Sequence, residues 1–419
     1  MNTKFDILVV GGGAAGLMAA ITAAQECKNN HIDVKIAVLE SNPRIGKKLL
    51  ATGNGRCNLT NQAVSAVHYH GDTDFLPSLL KVYSPQYIVD YFASLGLLCK
   101  EQDEGRVYPY NSQASAVLDI LRLQLENNGV EIVCDFIVRS IIKVDDGFKI
   151  SSELQTINAK RVIFATGGMA YPQFGSNGSG FRILTALGHS VTKMFPALVQ
   201  VKTDIRRAKP LKGARSAASA TLFSDGKPVK TVTGEVQFTE NGLSGICIFE
   251  LSRLVGELGT ANKIEIALDL MPEYTAQQIF VMLKHTSETL KSLPVSDLLN
   301  GSLNKLVGRE IVRDALPRAP KFISDLQASD LAAVANMVKD LRFNITGTLM
   351  WKDAQITAGG VPLQEVDETL QSKCCPGLYL AGELLNIDGD CGGFNLHWAW
   401  SSGAASGRAA AQSLLEKQR

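Results

Sequence analysis

Neither sign of charge is in excess in this 419-residue chain, where 42 Lys and Arg stand against 41 Asp and Glu for a net charge of +1. A protein that tracks a phosphate backbone needs a basic surplus, so a nucleic-acid partner is disfavoured. The eight cysteines (27, 57, 99, 134, 247, 374, 375, 391) include no C-x-x-C pair and no His–Cys cluster. That spacing argues against a zinc site and against a disulfide framework, and predicts a reducing cytoplasm with no structural metal. Proline is sparse, 14 residues against 37 glycines, which points to tight turns and close backbone approaches rather than rigid linkers. With 45% hydrophobic and 20% charged residues, disorder is excluded. A single run, Phe5 to Ala24, approaches the length of a membrane span, about 20 residues. Gly11, Gly12 and Gly13 break it into a β-branched half and an Ala-rich half, which reads as buried strand, turn and helix. A secretory signal would need a basic start, and the Ala-rich half offers only weak mimics of a cleavage site.

What is present begins with a βαβ unit: a strand at Asp6 to Val10, a helix from Ala14 to Cys27, and a strand at Val34 to Leu39 ending in Glu40. Pro43 to Asn61, with Gly53-Asn54-Gly55, has strong turn chemistry. Helical patterns follow at Pro85 to Leu95 and Gln113 to Asn127, then alternating strands from Val130 to Ile150 and a strand at Arg161 to Ala165. A β-rich stretch covers Ser190 to Leu270 and a polar helical one Ala276 to Leu341. The end returns to α/β character: a strand at Gly377 to Ala381, a Gly and Asp loop at Ile387 to Phe394, and a small-residue helix at Asn395 to Leu415. This order predicts an α/β protein with a nucleotide-binding domain split between the chain ends. Its expected parts are residues 1–193 and 357–419, interrupted by a β region (194–271 and 342–356) and a helical region (272–341).

Gly11-Gly12-Gly13-Ala14-Ala15-Gly16 fits G-x-G-x-x-G directly after a strand. Gly11 permits the turn, Gly13 lets a pyrophosphate approach the backbone, and Gly16 lets the helix pack on the strand. Glu40, ending the next strand, is placed to accept ribose hydroxyls and to repel a 2′-phosphate. The alternative is a plain glycine turn followed by a solvated carboxylate. Two later strand ends, Ala165-Thr166-Gly167-Gly168 and Gly377 to Glu383 with Asp388 beyond, suit a long flavin dinucleotide, whose isoalloxazine reaches past one βαβ unit. Ordinary buried strands with glycine stops would look the same.

Five further segments carry a resemblance. Gly46 to Asn58, Gly105-Arg106-Val107 before Tyr108-Pro109, Tyr171-Pro172 with Gly175 to Gly180, Phe238-Thr239 with Gly242 to Gly245, and Gly389 to Leu396 are together similar to a bacterial family of predicted NAD(P)/FAD-dependent oxidoreductases. That family includes an aminoacetone oxidase and a flavoprotein of bile-acid dehydroxylation. The resemblance implies a Rossmann-like FAD-binding domain split between the chain ends, inserted β-barrel-like and helical domains, and FAD held noncovalently. It implies pyrophosphate at Gly11, Gly13, Ala15 and Gly16, and the adenosine ribose at Glu40. Lys48 and the loop of Gly53, Asn54, Gly55, Arg56, Cys57 and Asn58 would run along the cofactor toward the flavin. Val138, in a strand, would pair its main chain with adenine, with Thr166 and Gly167 in the same region. Gly382 and Glu383 would line the cofactor, and Asp388 would take a ribityl hydroxyl. Gly393, Asn395 and Leu396 open the last helix, whose positive end would stabilise negative charge at the flavin pyrimidine edge.

On the substrate side the resemblance places Arg106, Tyr108 and Tyr171, where an Arg can bind a carboxylate and a Tyr can donate a proton, although each could be structural. His397 stands where the family often has Gln. It is either an acid or base beside the flavin or a hydrogen-bonding replacement next to Trp398 and Trp400. Ile246 follows Gly245 where Pro is expected. Cys57 and Cys391 read as packing residues rather than redox thiols. His68 and His70 read as an edge strand or polar loop rather than metal ligands. Arg309, Glu310, Arg313 and Asp314 read as a solvated helix face.

The sequence therefore predicts an FAD-dependent oxidoreductase that moves hydride between a small organic substrate and NAD(P)H, oxygen or another acceptor. No second G-x-G-x-x-G follows a strand, so NADH or NADPH would use the open flavin face, bind as a transient reductant, or not be the partner at all. Two other readings stand beside this one: a flavin-dependent tRNA-modifying enzyme, kept open by Arg206, Arg207, Lys209, Lys212 and Arg215, and a flavin-binding sensor without turnover. Nothing in the pattern fixes an oligomeric state.

Overall fold

Strands Lys4–Val10 (β1) and Ile36–Leu39 (β2) are buried along nearly their whole length, as parallel strands covered on both faces must be. In the computed structural model, which describes residues 3–416, they flank helix Ala14–Asn29 (α1). The run Phe5 to Ala24 is thus strand, turn and helix, and among the described residues no helix is long and apolar enough to cross a membrane. β2 pairs in parallel with Glu131–Val133 (β3), and β1 in parallel with Thr156–Phe164 (β4).

β4 shows how burial pattern sets pairing. Its first residues alternate buried and exposed, and Thr156 to Ala159 pair antiparallel with the strand Gly147–Ser151. From Arg161 on every residue is buried, and Val162 to Phe164 pair in parallel with Leu378–Leu380 (β5). Adding the outer strand Ser140–Val144 gives a seven-stranded sheet to which both chain ends contribute.

The chain divides into two units, one formed by residues up to Phe195 and from Gln355 on, the other by Pro196–Ala354. The second unit contains a closed barrel of six strands, between Val201–Thr203 and Leu341–Thr348. Helices Ala276–Thr289, Lys305–Ala315 and Ala328–Lys339 share the barrel's hydrophobic core. Their charged faces are paired, Arg309 with Asp297 and Arg313 with Glu310 and Asp314. The α/β class, with a Rossmann-type sheet and an inserted barrel, is the predicted one. One element departs from the sequence reading: Ile246–Leu258, inside the stretch read as β-rich, is a helix. Its β-branched start masks a helical spacing of buried residues, Cys247, Ile248, Leu251, Ser252 and Val255.

The C-terminal helix Phe394–Glu416 lies directly on α1. Both contact points are glycines. A Cβ at Gly403 would sit 2.4 Å from the Ala15 carbonyl oxygen, and one at Gly407 2.3 Å from that of Ala19. At an exposed helical site Gly→Ala gains about 1 kcal/mol in propensity. Here the added methyl meets backbone, and overpacking of about 1–3 kcal/mol outweighs that gain. Gly403→Ala and Gly407→Ala are each expected to destabilise the protein by about 1–2 kcal/mol in urea unfolding, and stabilisation by either would show that the helices separate freely.

Candidate functional site

The parallel strands end in register, and their carboxyl ends create the candidate site. Gly11 N–H donates to Leu39 O at 2.8 Å, Glu40 N–H to Val133 O at 2.9 Å, Ala165 N–H to Val10 O at 2.8 Å and Ala381 N–H to Phe164 O at 3.0 Å. Four turns therefore leave the sheet side by side: the Gly11 turn, Glu40, Thr166-Gly167 and Gly382-Glu383. This crevice is where open α/β sheets bind ligands.

Within the Gly11 turn the glycines have different surroundings. Gly11 has φ +111° and would place a Cβ 2.3 Å from Ala165 O, while a Cβ at Gly16 would fall 1.9 Å from Gly11 O. Gly13, which caps α1 without a side-chain bond, faces open space with nothing within 4 Å. The space that a Gly13 side chain would fill is therefore open, and the first N–H groups of α1, which have no intrahelical acceptor, are the donors that an anion at a helix start uses.

Glu40 is buried, and each of its oxygens has partners. Oε2 accepts from Gly12 N–H at 2.9 Å, and Oε1 from Asn42 N–H at 2.8 Å and from Asn42 Nδ2 at 2.7 Å. Asn42, which the sequence reading missed, also donates to Phe174 O at 3.0 Å. It thereby holds the Tyr171–Gly175 turn at this end of the crevice. The only sequence signal for it was the turn-forming Ser41-Asn42-Pro43. Thr166 Oγ1 is buried without a hydrogen-bond partner. Val138 is not in a strand, a correction to the sequence reading: it lies in the irregular segment between Glu131–Val133 and Ser140–Val144.

Midway along the crevice Lys48 Nζ and Glu383 Oε2 form an ion pair at 2.6 Å, both side chains about one-fifth exposed. Thr357 supports it, since its N–H donates to Glu383 Oε1 at 2.7 Å and its Oγ1 accepts from Met169 N–H at 2.7 Å. Thr357 also escaped sequence analysis, its one signal being the Gly359-Gly360 run that follows. Gly382 N–H donates to Ser402 Oγ at 2.9 Å, and Gly382 O accepts from Trp398 Nε1 at 3.1 Å, both on the C-terminal helix.

The far end is built by two loops. Gly53, Asn54, Gly55 and Cys57 all have positive φ, and this coil runs into the strand Thr60–Asn61. Cys57 is wholly buried, and desolvation pushes its thiol up to about 12, so it is no thiolate at neutral pH. Asn58 Oδ1 is buried without a partner, 2.9 Å from where a Cβ on Gly393 would be. Asn61 Nδ2 donates to Gly392 O at 2.9 Å, and Asn395 clamps the second loop, donating to and accepting from Gly389 at 2.8 Å each. Asp388 is buried beside it in a short strand paired with Tyr69–Gly71. Leu396 lies half-buried in the first helical turn.

The residues expected on the substrate side separate. Arg106 pairs with Glu104, its Nε 3.6 Å from a Cβ built on Gly392. Tyr108 is buried under the Arg56 guanidinium, 4.7 Å from its ring centre. Both belong to the flavin-loop end, whereas Tyr171 packs on Phe174 at the Glu40 end. His68 and His70 both reach Asp390, at 3.2 and 2.8 Å. Cys391 is half-buried in the same loop.

Residues 5–409 match the HI0933-like protein Rossmann domain. A 3-dehydro-bile acid delta(4,6)-reductase of Clostridium scindens is 36% identical over 407 residues, covering 96% of this chain and 98% of that protein. A ribosomal RNA dihydrouridine synthase of Haemophilus influenzae is 26% identical over 413 residues, covering 97% and 98%. Among solved structures, the 3-ketosteroid-delta4-(5alpha)-dehydrogenase of Rhodococcus jostii superposes with a TM-score of 0.52 at 15% identity, over 97% of each chain. The 3-ketosteroid delta1-dehydrogenase of Sterolibacterium denitrificans gives 0.52 at 13% identity, over 98% and 100%. The family match and the 36% identity to a reductase along nearly the whole of both chains make this an FAD-dependent oxidoreductase, and the solved structures share its fold. The chain belongs to the HI0933-like Rossmann family.

His397 is fully buried, its Nδ1 2.8 Å from Thr60 Oγ1. Burial lowers its pKa from 6.5 to about 4, against a smaller opposing effect of the Tyr83 main chain. It is therefore neutral at physiological pH. The unfolded chain takes up this proton near pH 6.5 and the folded chain does not, so stability is lost as pH falls from 6.5 toward 4, by about 3 kcal/mol over the window. His397→Gln cannot ionise, and urea unfolding at several pH values is expected to lose that part of the slope. An unchanged slope would mean that the imidazole ionises inside the fold.

Proposed function

We propose that this protein uses FAD to reduce a carbon–carbon double bond conjugated to a carbonyl in a small, largely apolar ketone, with NADH or NADPH as transient reductant. The observation that carries the reading is the 36% identity, along almost the whole of both chains, to a bile-acid delta(4,6)-reductase. Dihydrouridine formation, named for the more distant relatives, also saturates a double bond conjugated to a carbonyl. Both reactions need hydride at the β-carbon, a proton at the α-carbon and a polarised carbonyl.

Several features of the crevice fit FAD. The space beside Gly13 is open to a pyrophosphate, and the buried, partnerless Thr166 Oγ1 and Asn58 Oδ1 offer hydrogen bonds at either end. We assign Gly11, Gly13, Ala15 and Gly16 to the pyrophosphate, Glu40 to the adenosine ribose, and Val138, Thr166 and Gly167 to the adenine end. Lys48, Gly382 and Glu383 line the middle, the Gly53–Asn58 loop lines the flavin end, and Asp388 takes a ribityl hydroxyl. FAD, when bound, supplies hydride transfer. Gly393, Asn395 and Leu396 present main-chain N–H groups of the first helical turn to developing negative charge. His397, buried and neutral, positions that turn through Thr60. Arg106, beside Gly392, orients the substrate carbonyl. The buried thiols Cys27, Cys57 and Cys247 suit the reducing cytoplasm in which we place the protein.

Ribosomal RNA is the competing substrate. The cluster that would serve it is largely neutralised, because Arg206 pairs with Asp204, Arg207 with Asp314, Lys212 with Glu240 and Arg215 with Glu235. Anaerobic titration of the flavin-loaded protein tests the choice. NADH or NADPH is expected to bleach the flavin absorption, and a 3-oxo-4-ene steroid, not ribosomal RNA, to restore it. Reoxidation by RNA alone would move the substrate to nucleic acid. Reduction by an amine such as aminoacetone, with neither nucleotide acting, would overturn the reductase reading. Arg106→Ala is expected to lower kcat/KM for the enone by about 10–100-fold, as loss of a charged hydrogen bond worth about 1.5–3 kcal/mol does, with flavin content unchanged.

A further inference from the structure

We propose that His189, Glu365 and Cys374 form a site for a thiophilic divalent metal of the zinc type, at the amino-terminal end of β5 and thus away from the crevice at the strands' carboxyl ends. His189 Nδ1 lies 2.8 Å from Glu365 Oε2, and a ring nitrogen of His189, a carboxylate oxygen of Glu365 and Cys374 Sγ fall within 4.8 Å of one another. The three residues come from separate segments: the turn after helix Ser179–Ala186, the turn Leu363–Glu365, and the loop before β5. That separation explains why no ligand spacing appears in the sequence.

The surroundings fix both first ligands. His189 has a fully buried side chain, and its second nitrogen, Nε2, lies 2.8 Å from Ser372 Oγ, which also accepts from Cys375 N–H at 2.8 Å. Glu365 Oε1 accepts from Ser190 N–H at 3.1 Å. A histidine held on its far nitrogen and a carboxylate held on its other oxygen are the outer-shell arrangement that metal ligands need. The donor set is nitrogen, oxygen and sulfur, in which the thiolate selects zinc-type ions over magnesium or calcium. Three protein ligands leave a fourth tetrahedral position for water. Two anionic ligands and a neutral imidazole cancel the charge of a dication.

Binding costs protons in a countable way. Without metal, Nδ1–H donates to the Glu365 carboxylate and Ser372 O–H to Nε2. With metal, Nδ1 gives up its hydrogen-bonded proton to become a ligand, the proton-bearing nitrogen becomes Nε2, which donates to Ser372, and the Cys374 thiol ionises. The imidazole stays neutral through this tautomer change only by taking a proton on Nε2 as Nδ1 loses one, so the net release is one proton per metal, from the thiol. Metal–ligand bonds of about 2.0–2.3 Å require the Nδ1–Oε2 pair to open slightly and the thiol to close in. The exposed Cys374 is free to make most of that adjustment.

The test uses cobalt(II) added to the flavin-loaded, chelator-treated protein. Expected are one equivalent bound with a thiolate-to-cobalt charge-transfer band, and one proton released per cobalt. Cys374→Ser is expected to abolish the band, and Glu365→Gln to weaken binding at least about tenfold, both with flavin absorption retained. Absence of the band, or equal affinity in wild type and Glu365→Gln, would overturn the proposal, because the thiol alone would then account for any binding.

Discussion

The contact on which the rest depends is the close approach of α1 and the C-terminal helix, backbone against backbone at Gly403 and Gly407. The two helices lie at opposite ends of the sequence, and their packing draws the last strand of the parallel sheet, β5, onto β4. It also seats the site. Trp398 and Ser402, on the face of the C-terminal helix turned to the sheet, hold both peptide groups of Gly382, while a Cβ on Gly382 would come 2.9 Å from the Cβ of Ala15. Small residues at these points permit the approach, and the hydrogen bonds give it one register.

From that arrangement the crevice takes its polarity. One end is made of backbone donors and glycines, where α1 begins. The middle is a carboxylate and an ammonium, Glu383 and Lys48, whose charges offset each other across a half-buried gap. The far end is again the start of a helix. An extended ligand with a negatively charged centre and a ring system that gains electrons meets a positive helix end at two places along its length. That is the electrostatic logic shared by the assignments above.

The sequence showed the βαβ unit, the return of the chain end and the barrel because their signals are local: a glycine turn after a β-branched strand, alternation, and glycine stops. It was blind where the deciding contact is long-range. Nothing near Asn42 or Thr357 announces that one braces Glu40 and the other Glu383. His397 carried two readings in the sequence, an acid or base or a hydrogen-bonding replacement, and what the sequence did not show is that the turn of the helix brings its ring against Thr60 in the core. The resemblance places Val138 in a strand, yet it lies in the irregular segment between two strands. Arg106 and Tyr171 looked like one group but lie at different ends, Arg106 paired with Glu104 and Tyr171 packed on Phe174.

The split of the first unit also sets an order of events during synthesis. β4 is made early, but β5 and the helix that covers α1 follow only after all of Pro196–Ala354. At about 5–20 residues per second the interval is about ten to forty seconds. Throughout it the first half of β4 is covered by its hairpin neighbour, while Val162, Ile163 and Phe164 present an unpaired, wholly apolar edge. The nascent chain therefore carries an adhesive strand edge until Leu378–Leu380 arrives to close it, so a truncation before that strand would leave the edge open.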